Sequence, residues 1–159
     1  MAVKVLVDAD SCPVRDIVEE VCRDNSTPVI MVADVAHEIT SNYAQVIVVD
    51  SGQDEADLRI VNLTAKGDLV ITGDYGLASL VLSRGGQALH PSGWAYNQGN
   101  IDSLLLQRHL ARKARRAGER FGNNQKARSE QDDTCFRSAL REILDRSRSE
   151  EPGAKHKKD

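Results

Sequence analysis

Along the first 90 residues, short runs of consecutive apolar residues alternate with stretches in which apolar positions recur every three or four residues. The runs Val3–Val7, Val29–Ala33, Val46–Val49 and Leu69–Thr72, with a weaker one at Gln87–Leu89, predict strands. They are nearly continuous in apolar character rather than alternating, the pattern of parallel strands covered on both faces. Between them, Pro13–Asp24 places Val14, Ile17, Val18, Val21 and Cys22 at helical spacing, with Pro13 suited to a first helical position. Asp54–Lys66 repeats the pattern through Leu58, Val61 and Ala65, and Gly67 can end it. Gly76–Ser83 predicts a third helix, and Asp34–Ala44 reads as either a short helix or a loop. Alternating strands and helices predict an α/β sandwich with a mainly parallel sheet.

The pattern changes after residue 90. "HPSGWAYNQGN" reads as a loop, and residues 101–118 as a helix that starts apolar and turns basic. Residues 119–130 read as a mobile loop, and 131–147 as an amphipathic helix with Phe136, Leu140, Ile143 and Leu144 on one face. Residues 148–159 read as a disordered tail. The expected organisation is a single domain over 1–147.

Composition narrows the class. With 159 residues, 40% apolar and 28% charged, the chain has enough material for one core and the balance of a soluble globular protein. The opening "MAVKVLVDAD" carries too short an apolar run for a signal peptide, and no stretch approaches a membrane span, so a cytoplasmic location is expected. Cys12, Cys22 and Cys135 lack C-x-x-C spacing, and His37, His90, His109 and His156 lack zinc-ligand spacing, which argues against disulfide and structural-zinc scaffolds. The glycines form no G-x-x-x-x-G-K-[ST] phosphate loop.

Charge is segregated. Residues 1–107 hold 6 Lys+Arg against 15 Asp+Glu, a net of −9, whereas residues 108–128 hold 8 against 1, a net of +7. Arg108, Arg112, Lys113, Arg115 and Arg116 form a cluster suited to a polyanion such as RNA. The competing reading is a solvated helix face that neutralises the acidic body of the same fold.

In an open parallel sheet, chemistry collects beyond the carboxyl ends of the strands. Asp8 and Asp10 follow the first predicted strand, Asp50 the third and Asp74 the fourth. Asp54, with Asp57 three residues on, suits a helix cap, and Asp50 suits a turn. Asp57 shares a helix face with Ile60 and Val61, so it can point towards the sheet. If strands one and four are neighbours, Asp8, Asp10 and Asp74 meet. A hard divalent cation with oxygen ligands, Mg²⁺ or Mn²⁺, would then relieve their repulsion and suit phosphodiester chemistry. Cys12 lies at a helix start, where the dipole would lower a thiol pKa, although packing is the commoner role. Trp94, Tyr96 and Asn97 could stack on a base or anchor their loop.

The segments "VDADSCPV", "DSGQDEADLRIV", "GDLVITGDYGLA" and "YNQGNID", in this order, resemble the YaiI/YqxD-like family of uncharacterised bacterial proteins, placed among the PIN-like nuclease folds. The resemblance runs from about Val3 to about Leu144. It implies a PIN-like three-layer α/β/α sandwich with C-terminal helices and an acidic site for Mg²⁺ or Mn²⁺. By position, Asp8 matches the first-strand acid, Asp57 the mid-chain acid and Asp74 the acid after the fourth strand, while Asp10 belongs to the family's own D-A-D motif. "VAD" at Val32–Asp34 and "HPSG" at His90–Gly93 stand where the family usually shows VAN and NPRG. The reading that follows is a metal-dependent ribonuclease with Asp8, Asp10, Asp57 and Asp74 as catalytic and metal-binding residues. A haloacid-dehalogenase-type phosphatase, with Asp8 as nucleophile, Asp10 as acid/base and Lys66 in support, is one alternative. A non-catalytic RNA-binding module is another.

Overall fold

The computed structural model describes residues 3–52, 54–118 and 128–149. Five strands form one sheet: β1 (Val5–Asp8), β2 (Val29–Asp34), β3 (Gln45–Val49), β4 (Leu69–Ile71) and β5 (Gln87–Leu89). All pair in parallel, in the order β3-β2-β1-β4-β5. The chain builds outwards from β1 to one edge, then returns across the sheet to add β4 on the other side of β1. The three central strands carry fully buried side chains such as Val5, Leu6, Val7, Val32, Leu69 and Ile71, which is why they lack polar alternation.

Helices cover both faces. The helix α1 (Arg15–Asp24) and the C-terminal helix α5 (Glu130–Ser149) lie on one side, where Val18, Val21 and Cys22 meet Phe136, Leu140, Ile143 and Leu144 over Val5, Val7 and Met31. On the other side lie α2 (Glu55–Leu63), α3 (Tyr75–Ser83) and α4 (Gln98–Arg116), which cover Leu6, Val32 and Val70 with Ile60, Leu77, Val81 and Ile101. This is the three-layer sandwich expected from the sequence. Burying each large apolar side chain of these layers contributes about 2 kcal/mol.

Several boundaries differ from expectation for local reasons. Pro13 is not the first helical residue. Ala9–Ser11 wind into a short 3₁₀ turn, and α1 begins only at Arg15. Asp34–Ala44 contains turns and no helix. The helix α2 stops at Leu63, where the buried Thr64 hydroxyl donates back to the Ile60 carbonyl (2.7 Å), so Gly67 belongs to the following turn and does not end the helix. "YNQGN" is not wholly loop, because Asn97 and Asn100 form a reciprocal capping box that starts α4 at Gln98. At the far end, Ser129 and Asp132 exchange hydrogen bonds ahead of α5, which begins at Glu130. The expected mobile loop therefore ends earlier than 130, and its residues 119–127 lie outside the described residues. The helix also runs two residues into the expected tail. There Arg148 donates to the Asn25 carbonyl (2.6 Å), and earlier in the helix Arg137 pairs with Glu20 (2.8 Å). Residues 150–159 lie outside the described residues.

Two polar features brace the sheet. Asp68, in the "GDLVITGD" motif, is almost fully buried. It is paired with the Lys4 ammonium and accepts the Ala65 and Lys4 amides at the start of β4. Gly93 has φ +98°, and a Cβ there would lie 2.7 Å from the Cys135 carbonyl carbon, so the loop after β5 is pressed onto the backbone of α5. Gly93→Ala should therefore cost about 2 kcal/mol or more from backbone strain and overlap together. Urea unfolding followed by circular dichroism checks this, and a loss under about 0.5 kcal/mol would mean that the loop does not rest on α5.

Candidate active site

The sheet reverses its direction of growth between β1 and β4. The loops leaving these neighbouring strands run to opposite faces and open a crevice at their carboxyl ends. Val7 pairs with Ile71, so Asp8, the last residue of β1, faces the Thr72–Asp74 exit of β4. The Asp8 carboxyl is pushed up from its ordinary value chiefly by burial. The Ser11 hydroxyl (3.3 Å) partly opposes this, and the charges of Asp10 and Asp74 add to it. Asp57, in the first turn of α2, is half-buried over the same crevice. Its pKa is raised to about 6 by burial, then by the charges of Asp74, Asp8 and Asp54. Asp8, Asp57 and Asp74 are thus electrostatic neighbours, although 66 residues separate the first from the last.

Asp74 is the N-cap of α3: one oxygen, Oδ1, accepts the amides of Gly76 (2.8 Å) and Leu77 (3.3 Å). Its own amide donates to the Thr72 hydroxyl (3.0 Å), which fixes the turn. Its second oxygen is left for other partners. The capping role expected of Asp54 is not found: Asp54 adopts φ 70° and its side chain caps nothing. Left-handed backbone at that position turns the carboxylate away from the helix amides, so the capping box with Asp57 does not form. Asp50 is exposed at the end of β3, two strands from β1.

Asp10 is built differently. Its Oδ2 accepts the Asp34 amide (2.8 Å), tying the 3₁₀ turn to the end of β2, while Asp34 in turn accepts from Ala36 (2.7 Å) and Ser51 (2.8 Å). Asp10 Oδ1 is buried and has no hydrogen bond, with His37 Nδ1 3.3 Å away in poor alignment. Sequence reasoning named His37 and Asp34 but did not assign them to the site. The signal available was that each stands within three residues of a strand end, on the same edge as the D-A-D motif. The Cys12 thiol is buried and pushed up to about 11, mainly by burial, so it is protonated. Desolvation outweighs the helix-start effect expected of it.

Tyr75, the first residue of α3, lies under the Arg108 guanidinium (5.6 Å to the ring centre), which brings α4 beside Asp74. Arg108, Arg112, Lys113, Arg115 and Arg116 are all exposed, and among the described residues none forms an ion pair with an acid. After β5, His90 stacks on Trp94 (4.5 Å, 11°), and Trp94 meets the edge of Tyr96 (4.6 Å). The Tyr96 hydroxyl donates to the Thr72 carbonyl (3.2 Å), joining this loop to the strand end that carries Asp74.

Hard cations suit this donor set. It is all carboxylate, two of its members are raised by burial and by the charges of neighbouring acids, and the buried Asp10 Oδ1 lacks a donor. Among the described residues, no group of three or more His, Cys, Asp or Glu side chains is arranged to hold an ion by itself. An ion here would therefore take one or two carboxylates directly and complete its shell with water, the habit of Mg²⁺.

A match to the YaiI/YqxD family of uncharacterised bacterial proteins covers residues 6–146. A UPF0178 protein of Natranaerobius thermophilus is 52% identical over 141 residues, 89% of this chain and 95% of its own length. One from Ruminiclostridium cellulolyticum is 44% identical over 137 residues, 86% and 89% of the two chains. A crystal structure of a mutant of Rae1 (YacP) from Bacillus subtilis aligns with a TM-score of 0.43 and 20% identity, over 92% of this chain and 99% of that one.

The Asp57 carboxyl holds its proton more tightly in the folded chain than in the unfolded one, where it titrates near 3.8. The stability this gives is fully present below pH 3.8 and is lost as pH rises through about 6. Asp57→Asn should therefore melt higher than wild type at pH 8 without metal. The gain is on the order of 1 kcal/mol once screening of this half-exposed group is allowed for, and the gap should close towards pH 4. With Mn²⁺ at pH 8 the wild type should gain more than the variant. A variant that melts lower than wild type at pH 8 in chelator would contradict the crowding of charge.

Proposed function

The chain belongs to the YaiI/YqxD family, and we propose that it is a divalent-metal-dependent ribonuclease that hydrolyses phosphodiester bonds at the crevice between β1 and β4. The observation that carries this reading is that Asp8 and Asp57 are both raised, first by burial and then by neighbouring carboxylates, with Asp74 acting on each. Evolving a fold that gathers acids without a counter-charge is costly, and a cation between them is the simplest compensation. Asp8, Asp57 and Asp74 would hold Mg²⁺ or Mn²⁺, one or two of them directly and the rest through water, with the free oxygen of Asp10 on the same rim. When bound, such an ion supplies Lewis-acid activation of a water and neutralises charge on the leaving oxygen.

The protein's own groups would do the rest. The amides of Gly76 and Leu77 fix Asp74 through one oxygen, leaving the other aimed by the helix cap. The Asp34 amide fixes Asp10 in the same way. A body of net charge −9 repels RNA, so Arg108, Arg112, Lys113, Arg115 and Arg116 would draw the phosphate backbone to this edge. The phosphatase alternative is disfavoured by topology. Lys66 packs against Gly85 before β4, and the acids lie beyond its other end.

Incubating end-labelled single-stranded RNA with Mn²⁺ tests this reading. Cleavage by the wild type should fall at least about 100-fold in Asp8→Asn and in Asp74→Asn, each of which loses a reacting group or its charge. Changing Arg112, Lys113, Arg115 and Arg116 together to Gln should weaken RNA binding with little loss of stability. It should also flatten the log–log salt dependence by about 0.7 per phosphate contact removed. RNA binding without turnover in Mg²⁺ or Mn²⁺ would favour a non-catalytic module. An aspartyl-phosphate trapped on Asp8 would favour the phosphatase.

A further inference from the structure

Trp94 is the chain's single tryptophan, and 38% of it is exposed despite sitting in a tightly braced loop. His90 donates its amide to the Trp94 carbonyl (2.9 Å), and Gly93 donates back to the His90 carbonyl (2.9 Å). His90 Nδ1 accepts the Ser92 amide (2.9 Å), which fixes the imidazole in its plane. That plane lies within 11° of the indole, so the indole rests on a ring that is itself locked. Tyr96 closes one edge, and the loop is pressed on α5 at Gly93. An anchor would bury its indole. This one is held rigid while more than a third stays open to water, at a cost in exposed apolar surface.

The position is as informative as the rigidity. His90 leaves β5 on the same edge of the sheet as Asp74. Its Nε2 lies about one side-chain contact (4.0 Å) from where a Cβ on Gly73 would be. Tyr96 is bonded to the Thr72 carbonyl, and the Thr72 hydroxyl accepts the Asp74 amide. Directly after this loop, α4 starts and brings Arg108 over Tyr75, the residue that follows Asp74. An aromatic face, a carboxylate cluster and the Arg108 guanidinium are thus arranged along one edge.

We infer that the open part of Trp94 is a stacking platform for an unpaired base of a single-stranded RNA whose backbone enters the β1–β4 crevice, an inference that rests on the ribonuclease reading above. Bases in a duplex are stacked on one another and present no free face, so the platform selects single strands. Stacking also supplies affinity that does not depend on charge. That suits a protein whose acidic body repels the polyanion it must hold.

Single-stranded oligoadenylate, fluorescein-labelled, with Ca²⁺ in place of Mg²⁺ to slow cleavage, is the probe. Anisotropy reports binding, and the emission of Trp94 reports stacking. Wild type should show saturable quenching of Trp94 with the same midpoint as the anisotropy, and no quenching by inorganic polyphosphate of similar charge. Trp94→Leu should weaken binding about 10-fold at every salt concentration with an unchanged salt slope, while Trp94→Phe keeps most of the affinity. Should the Leu variant fail to fold, the contrast in quenching between oligoadenylate and polyphosphate decides. Equal quenching by both would overturn the inference. Unchanged binding in a folded Leu variant, with Asp8-dependent cleavage intact, would overturn the platform alone. No binding of the oligonucleotide by wild type would overturn both the platform and the ribonuclease reading.

Discussion

Negative charge gathered where a parallel sheet reverses direction is the constraint around which the rest of this molecule is arranged. Asp8 ends the central strand, Asp74 follows its neighbour, and Asp57 hangs over both from the first turn of α2. The charged forms of Asp8 and Asp57 would be cheaper in water. Burial and mutual repulsion instead lift Asp8 and hold Asp57 at about 6. A fold tolerates such an arrangement when surrounding structure over-determines it. Here the determinants are backbone amides: those of Gly76 and Leu77 on Asp74, and that of Asp34 on Asp10. These bonds spend one oxygen of each carboxylate and leave the other uncommitted. The acids are positioned without being neutralised.

The same edge of the sheet receives two further elements. The loop after β5 is fixed by the His90–Trp94 stack and by the bond from Tyr96 to Thr72, so it moves with the strand that presents Asp74. The helix α4 starts from an asparagine capping box and passes Arg108 over Tyr75. The basic helix thus reaches the acidic edge at Arg108. Far from this edge, the Lys4–Asp68 pair shows the opposite treatment of a buried acid. There the charge is matched by an ammonium and by amides, as a structural carboxylate requires.

Much of the fold was legible because burial on both faces leaves a plain trace. The runs around Leu6, Met31 and Val70 are apolar throughout, and the helices between them keep a regular apolar face. Strand order was not legible, since periodicity reports burial and not neighbours, and the meeting of Asp8 with Asp74 depends on that order. Local chemistry misled wherever backbone geometry or burial decided the outcome. Asp54 has the sequence context of a cap, but with a left-handed backbone its side chain caps nothing, whereas Asp74 does cap α3. Cys12 stands near a helix start, but its burial outweighs the dipole. Pro13 precedes α1 by two residues because the D-A-D segment winds into a 3₁₀ turn first. The ring stack at Trp94 was beyond reach for another reason: the loop that carries it rests at Gly93 on α5, a contact over 40 residues away in sequence.

Titration of the aspartate carboxyl carbons by NMR, in wild type and in Asp8→Asn, tests the crowding of charge most directly. Asp57 should titrate near 6 in metal-free wild type, fall when Asp8 loses its charge, and fall again when Mg²⁺ is added to the wild type. An Asp57 that titrates in the ordinary aspartate range and ignores both changes would mean that these carboxylates share a sheet edge but not a site.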